Sequence, residues 1–217
     1  MIQHWYIYLL IAYGVTLIPV IGKYFSVLNT LFHEVGHALF ALLFDGKVKS
    51  IVLFASTEGV ATTTSRFWIA RVVTSYAGYT FASFIAFLSF YFIQQDKPTF
   101  LLFGFMIAVF LSLVFWVRNW YGIVWCLSFL ALCILLVIYG TTLLQHTMTF
   151  FFSSILLTQS VSTAFTIFRL SIKKPKDAGD ATNLSKHTFI PAPIWGTIFF
   201  LQSLYVAFLV FKYIIFS

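Results

Sequence analysis

The sequence has very little charge. Only 9% of its 217 residues are charged, and just two of its six acidic residues are glutamates, Glu34 and Glu58. A soluble domain carries about 25% charged residues, so this composition excludes a water-exposed globular surface. The net charge of +7 does not form an arginine-rich patch on a soluble scaffold, so we do not expect nucleic acid as a partner.

Cysteine is also scarce, and a cleavable leader is not evident. Cys126 and Cys133 lie in one apolar run, and we predict that they are packing residues rather than a disulfide or a ligand pair. The first apolar run begins at Trp5 with no basic segment before it and no small-residue cleavage site after it. It therefore favours a retained span over a signal peptide.

The sequence consists largely of long apolar runs. The sequence is 61% hydrophobic with a mean hydropathy of +0.97. A helix needs roughly 20 residues to cross the hydrocarbon core of a bilayer, and continuous rather than alternating apolar runs indicate helices and not a barrel. The predicted segments are Trp5–Ile21, Val27–Phe44, Phe67–Ile93, Thr99–Val117, Trp120–Tyr139, Thr147–Phe168 and Pro193–Phe216.

These runs predict an α-helical polytopic membrane protein with about seven apolar helical segments, forming a single integral membrane domain over residues 1–217. Only Arg118 and Asn119 separate the fourth segment from the fifth. The bilayer is therefore the first expected partner.

Positive charge predicts the orientation. With a cytoplasmic N-terminus, ten basic residues lie inside and three outside, as the positive-inside rule requires. The inner set is Lys47, Lys49, Arg66, Arg71, Arg118, Arg169, Lys173, Lys174, Lys176 and Lys186, and the outer set is Lys23, Lys97 and Lys212. We predict the inner membrane of a bacterial cell.

Two of the predicted inner loops contain more than a turn. Residues 46–65 are rich in β-branched residues on either side of Glu58-Gly59, which predicts a β-hairpin at the cytoplasmic side. The loop at about 169–192 is polar and basic, and it contains Asp177 and Asp180.

The second segment contains the pattern His-Glu-x-x-His at residues 33–37. On a helix, His33 and His37 share one face, so their nitrogens can hold one Zn²⁺ at about 2.0–2.1 Å. Glu34 lies next to the metal position without having to bind it, as a general base does. The alternative is a buried polar cluster that joins helices, but ionisable groups are costly inside a membrane and usually functional.

A catalytic zinc needs a third protein ligand. The other carboxylates and histidines are Asp45, Glu58, Asp96, Asp177, Asp180, His4, His146 and His187. His37 lies about 10 Å from the predicted cytoplasmic end of its helix, so the ligand must reach in from that side. Asp177, Asp180, His187 and the Arg118–Asn119 pair meet this condition, whereas Asp45 is too far along the helix axis.

Several motifs resemble one family. The run His33–Ala41, followed by Gly46 and a β-rich stretch, resembles the site-2 protease group of intramembrane zinc metalloproteases, and particularly a compact bacterial branch described as peptidase M50B-like. Ala77–Tyr79, Arg118–Gly122 and Asp180–Leu184 look like further landmarks of that branch, followed by Thr188, Ile190-Pro191 and Trp195.

The resemblance implies a zinc endopeptidase that cleaves membrane-tethered proteins, with a site below the cytoplasmic surface and a hairpin that guides an extended substrate. The sequence lacks the Asn-Pro-x-Asp-Gly segment from which well-studied members take the third ligand. We predict Asp180 in its place, because it matches the Asp-Ala-x-x-Leu pattern, and Asn119 as second candidate. Asp180 could instead be the N-cap of a short helix.

Two other functions remain as alternatives. A non-catalytic membrane scaffold or partner-binding protein of the same fold would agree with the missing segment. A transporter would use the His/Glu cluster for ions, but transporters usually show repeats or broken helices in both halves, and the sequence shows neither.

Overall fold

The computed structural model describes residues 5–212, so His4 and the last residues of the seventh predicted segment lie outside the described part. Within it the elements are α1 (Trp5–Thr16), α2 (Ile21–Leu43), β1 (Lys47–Leu53), β2 (Gly59–Thr64), α3 (Trp68–Gln94), α4 (Pro98–Phe115), α5 (Trp120–Tyr139), α6 (Thr142–Lys173), α7 (Gly179–Thr188) and α8 (Ala192–Val210). The predicted class, a helical membrane protein with a small hairpin, is confirmed.

The predicted number of about seven apolar helical segments is slightly higher than the number of candidate spans. Five of the described helices are long and apolar enough to cross a membrane: α3, α4, α5, α6 and α8. A sixth span exists only if α1 and α2, which are bent by 102° at their junction, are counted together.

The bend between α1 and α2 has a local cause. Pro19 lies in the break, where it removes a backbone donor and disfavours helix at Ile18. The 12 residues of α1 extend only about 18 Å, less than the hydrocarbon core. The cytoplasmic N-terminus, which depended on a complete first span, therefore stays a prediction.

Helices α2 and α3 approach closely at two glycines. A Cβ on Gly36 would lie 2.7 Å from the Cβ of Phe81 and 3.0 Å from the carbonyl oxygen of Ala77. Small residues permit such backbone contact between membrane helices. The motif on α2 is consequently pressed against Gly78 and its neighbours on α3.

The hairpin pairs β1 and β2 antiparallel, with an irregularity between Val48 and Ser50. The other edge of β1 is paired with the break between α4 and α5: Ile51 N donates to Trp116 O at 2.7 Å, and Arg118 N donates to Ile51 O at 3.1 Å. Helix α4 ends at Phe115, just before the predicted interruption at Arg118 and Asn119. Val117 then forms an isolated parallel bridge with Ile51.

The predicted basic loop contains a helix. Helix α6 continues to Lys173, and α7 occupies Gly179–Thr188. Trp68 at the start of α3 donates from its indole to the carbonyl of His187, and Ala181 and Leu184 of α7 are fully buried against Tyr79 and Phe199. Buried apolar residues therefore draw this polar segment onto the α3–α8 pair.

The hairpin, residues 116–119 and α7 lie at one end of the helix bundle, which we call the site end. All ten basic residues of the predicted inner set lie on elements of the site end or at the ends of helices that reach it. Asp96 Oδ1 and His146 Nε2 lie 2.9 Å apart at the opposite end. The asymmetry of charge fits a cytoplasmic site end.

Candidate metal centre

The two histidines of the motif face each other on α2. His33 Nε2 and His37 Nε2 are 3.0 Å apart, and the rings are arranged edge to face. Their side chains are only 16% and 10% exposed. The spacing of one helical turn has thus brought two nitrogen donors to one point inside the protein.

Asp180 completes the group from α7. Its Oδ2 lies 3.1 Å from His33 Nε2 and 3.2 Å from His37 Nε2. Within residues 5–212, these three side chains form the one group of histidine, cysteine or carboxylate ligands with the spacing of a metal site. The structure brings together the three residues that the sequence singled out.

The geometry and the donor set fit Zn²⁺. In a tetrahedral site with Zn–N and Zn–O distances of about 2.0–2.2 Å, ligand atoms are roughly 3.3 Å apart, close to the three separations measured here. Two imidazoles and one carboxylate leave the fourth position open, as catalytic zinc sites do.

A backbone contact fixes the tautomer of His37. Its Nδ1 lies 2.6 Å from the carbonyl oxygen of Thr74 on α3, and only a protonated Nδ1 can donate to a carbonyl. Nε2 points at His33 and Asp180, and in the neutral ring it carries the lone pair that a metal would bind. This is the usual second contact of a metal-ligating histidine, which orients the ring.

Asp180 is held as an anion. Burial by itself would raise the pKa of the Asp180 carboxyl, but the charges of His37 and His33 and their hydrogen bonds outweigh burial and lower it. The N-cap of α7 is Ala178 and not Asp180, so the alternative role as helix cap was wrong. The Asp180 carboxylate faces the histidines instead.

Glu34 is buried beside the group and contacts the hairpin. It is 5% exposed, and its Oε2 accepts a hydrogen bond of 2.6 Å from Ala61 N of β2. Gly59 makes the approach possible, because a Cβ there would lie 2.7 Å from Glu34 Oε1. Glu34 therefore lies between the candidate ligands and strand β2.

Gly78 leaves room for the imidazoles. A Cβ at this position would lie 2.5 Å from His33 Cε1 and 2.5 Å from His37 Nε2. Sequence reasoning missed the roles of Gly78, Thr74 and Ala61. The sole signal was that Gly78 stands in the Ala77–Tyr79 landmark, because backbone contacts such as those of Thr74 and Ala61 leave no mark in residue identity.

Asn119, the second candidate for the third ligand, has its amide hydrogen-bonded to strand β1. Its Oδ1 accepts from Leu53 N at 3.1 Å, and its Nδ2 donates to Leu53 O at 2.7 Å. The amide therefore extends the sheet edge. Asp177 is exposed, and neither it nor His187 belongs to the group.

One family model, described as peptidase M50B-like, matches residues 6–210. The chain belongs to the peptidase M50B-like family. The match covers all the elements of the candidate metal centre, from α2 to α7, and confirms the resemblance seen in the motifs.

Membership of the M50B-like family makes this chain a member of a protease family with several apolar helices. No curated protein and no solved structure matches the chain significantly. The family match therefore gives the kind of protein, and the contacts around His33, Glu34 and Asp180 provide the argument for what this chain does.

Proposed function

We propose that this protein is an intramembrane zinc endopeptidase that hydrolyses peptide bonds of membrane-tethered proteins. The observation that supports this most is the triangle of His33 Nε2, His37 Nε2 and Asp180 Oδ2, with edges of 3.0–3.2 Å, beside the buried carboxylate of Glu34. A structural polar cluster would not need a third, anionic group brought from a distant helix.

His33, His37 and Asp180 would hold the metal, and Glu34 would be the general base. A Zn²⁺ bound there would acidify a water molecule and polarise the scissile carbonyl. Glu34 takes the proton from the attacking water and passes it to the nitrogen of the leaving amine. Burial of the four side chains excludes bulk water and strengthens these electrostatic interactions.

Strand β2 offers an edge for the substrate. In the sheet register Ile51 is opposite Ala61, and Ile51 directs its backbone groups away from β2 toward Trp116 and Arg118. In an antiparallel pair, two opposite residues direct their backbone groups either both toward each other or both away from each other. Ala61 therefore directs its backbone groups away from β1, toward Glu34. An extended peptide added along this edge would place its backbone beside the catalytic side chains.

The experiment that tests the proposal compares zinc content and cleavage in detergent-purified variants. The set is wild type, Glu34→Gln, His33→Ala, Asp180→Ala and the matched control Asp177→Ala. Zinc is measured by mass spectrometry, and cleavage is measured with fluorescein-labelled casein as an unfolded probe.

We expect wild type and Asp177→Ala to hold one zinc and cleave the probe, and His33→Ala and Asp180→Ala to lose both properties. Glu34→Gln should keep zinc and lose cleavage by a factor of at least about 10². Cleavage by Glu34→Gln at the wild-type rate would exclude Glu34 as base. Wild type without zinc in metal-replete medium would favour the non-catalytic scaffold.

A further inference from the structure

Tyr79 packs directly on the candidate metal centre. It follows Gly78 on α3, and its ring meets the imidazole of His33 edge to face, with centroids 4.5 Å apart. On its other side the ring contacts Phe199 of α8 at 4.6 Å. Packing on both sides fixes the ring, so the direction of the hydroxyl is set by the fold.

The hydroxyl of Tyr79 is available for a ligand. Among the described residues it has no hydrogen-bond partner, although buried tyrosines usually find one. The fully buried side-chain atoms without a partner in the described part are Asn29 Oδ1, Thr74 Oγ1 and Ser154 Oγ. Since the Tyr79 oxygen is not among them, the small exposed fraction of this residue, 8%, includes its hydroxyl.

The ring that carries this hydroxyl lies beside the candidate metal centre. His33, which the ring contacts, is a candidate ligand, and a Cβ on the preceding residue Gly78 would lie 2.5 Å from His33 Cε1 and from His37 Nε2.

Tyr76 shows what a purely structural tyrosine looks like in the same place. It lies one turn earlier on α3 and stacks on the same Phe199. Its hydroxyl, however, donates to Gln202 Oε1 of α8, so its donor is used inside the fold. Of two tyrosines packed on one phenylalanine, only Tyr79 keeps its donor free.

We propose that the hydroxyl of Tyr79 donates a hydrogen bond to the scissile carbonyl oxygen as negative charge develops on it. This role rests on the proposed endopeptidase function. Both Glu34 and Asp180 are carboxylates, and they would repel that charge. A fixed, neutral donor stabilises it without adding a buried cation, as donors of oxyanion holes do.

The step is balanced without a proton leaving Tyr79. Water adds to the carbonyl carbon, Glu34 takes the proton of that water, and the C=O π electrons move to the carbonyl oxygen, which accepts the hydrogen bond from Tyr79. When the C–N bond breaks, the electrons return to form the C=O of the new acid, and Glu34 delivers the proton to the amine.

The test uses detergent-purified, zinc-loaded Tyr79→Phe, with Tyr76→Phe as the matched control. Both changes remove one oxygen and keep the ring. For Tyr79→Phe we expect one zinc, an unchanged KM for labelled casein and a kcat lower by about 10²–10³. Tyr76→Phe should keep the wild-type kcat. Loss of zinc from Tyr79→Phe would overturn the proposal, because the hydroxyl would then support the ligands.

A second readout does not depend on turnover. A phosphinic peptide presents a charged, tetrahedral P–O group in place of the attacked carbonyl, and its Kd is measured by fluorescence anisotropy. We expect a Kd about tenfold or more higher for Tyr79→Phe than for wild type, since a hydrogen bond to a charged group is lost.

The two readouts separate the proposals. If wild type binds the phosphinic peptide in a Tyr79-dependent way but does not cleave casein, the role of Tyr79 stands and the endopeptidase activity falls. If Tyr79→Phe equals wild type in kcat or in Kd, the role of Tyr79 falls and the endopeptidase can stand. If wild type binds no phosphinic peptide, the proposed role is overturned.

Discussion

At the residue scale, each candidate ligand depends on a neighbour that is not itself a ligand. Thr74 orients His37 through a backbone carbonyl, and Gly78 provides the space for both imidazoles. Ala61 orients the Glu34 carboxylate by donating a hydrogen bond from its backbone N–H. These neighbours convert a pair of histidines four residues apart into a site with one geometry.

Gly78→Ala should therefore damage the metal centre. The added methyl group would overlap both imidazoles, and either ring must move. We expect zinc affinity to fall by at least the roughly 10–100-fold that altered outer contacts cost, measured by competition with a chromophoric chelator. Gly104→Ala is the control, because a Cβ at Gly104 meets nothing within 4 Å. Equal affinity in the two variants would contradict the packing described here.

The acid limit of zinc binding should be set by the histidines and not by Asp180. The pKa of the Asp180 carboxyl is lowered, so this side chain remains an anion at pH values well below the ordinary aspartate pKa of about 3.9. Its contribution to zinc binding is lost only as the pH falls through the lowered pKa. Protons compete with zinc for the imidazoles at a higher pH than for the Asp180 carboxylate, so zinc affinity should fall before Asp180 is protonated. Release measured by equilibrium dialysis that begins only below pH 4 would contradict this order.

At the scale of elements, the hairpin is held from both sides. Thr30 Oγ1 of α2 donates to Thr57 O at 2.6 Å, and residues 116–119 cover the free edge of β1. One edge of the sheet is therefore satisfied, and the edge at β2 remains for Glu34 and for a substrate. An uncovered β1 would offer a competing, unproductive edge.

Asn119→Ala should destabilise the hairpin without removing zinc. The change deletes two hydrogen bonds to Leu53, each worth about 0.5–1.5 kcal/mol, and leaves His33, His37 and Asp180 in place. We expect a lower Tm in detergent and a hairpin that is cut faster by added protease, with one zinc still bound. The control is Asn183→Ala, an exposed asparagine of α7. Loss of zinc from Asn119→Ala alone would mean that the amide supports the metal centre after all.

At the scale of the whole molecule, the site end combines the basic residues, the hairpin and the ligand-bearing α7. Helices α3, α4, α5, α6 and α8 are long and apolar enough to cross a membrane, while the site is built where α2 and α3 meet α7. If the proposed function holds, a membrane-tethered substrate would reach the site from the basic side, where its segment leaves the bilayer.

The orientation can be measured by cysteine labelling in intact cells. Cys126 and Cys133 are buried, so new cysteines dominate the signal. Ser56→Cys in the hairpin turn and Asp177→Cys before α7 should react with a membrane-impermeant maleimide only after permeabilisation, whereas Lys97→Cys at the opposite end should react in intact cells. The reverse pattern would place the site end outside and overturn the charge argument.

Local patterns in the sequence predicted much of this protein. Apolar runs gave the class, the β-branched stretches flanking Glu58-Gly59 gave the hairpin, and the interruption at Arg118 and Asn119 gave the end of α4. Helix geometry alone put His33 and His37 on one face. Each of these predictions concerns residues a few positions apart, where backbone geometry links sequence to structure directly.

Tertiary structure decided the rest. Asp180 meets His37 across more than a hundred residues, and nothing in their spacing distinguishes Asp180 from Asp177. The bend at Pro19 removed a predicted span, the burial of Leu184 turned a loop into α7, and the packing of Tyr79 between His33 and Phe199 gave a phenol a place at the site. These outcomes depend on which surfaces pack together, and packing is a property of the assembled helices rather than of any one segment.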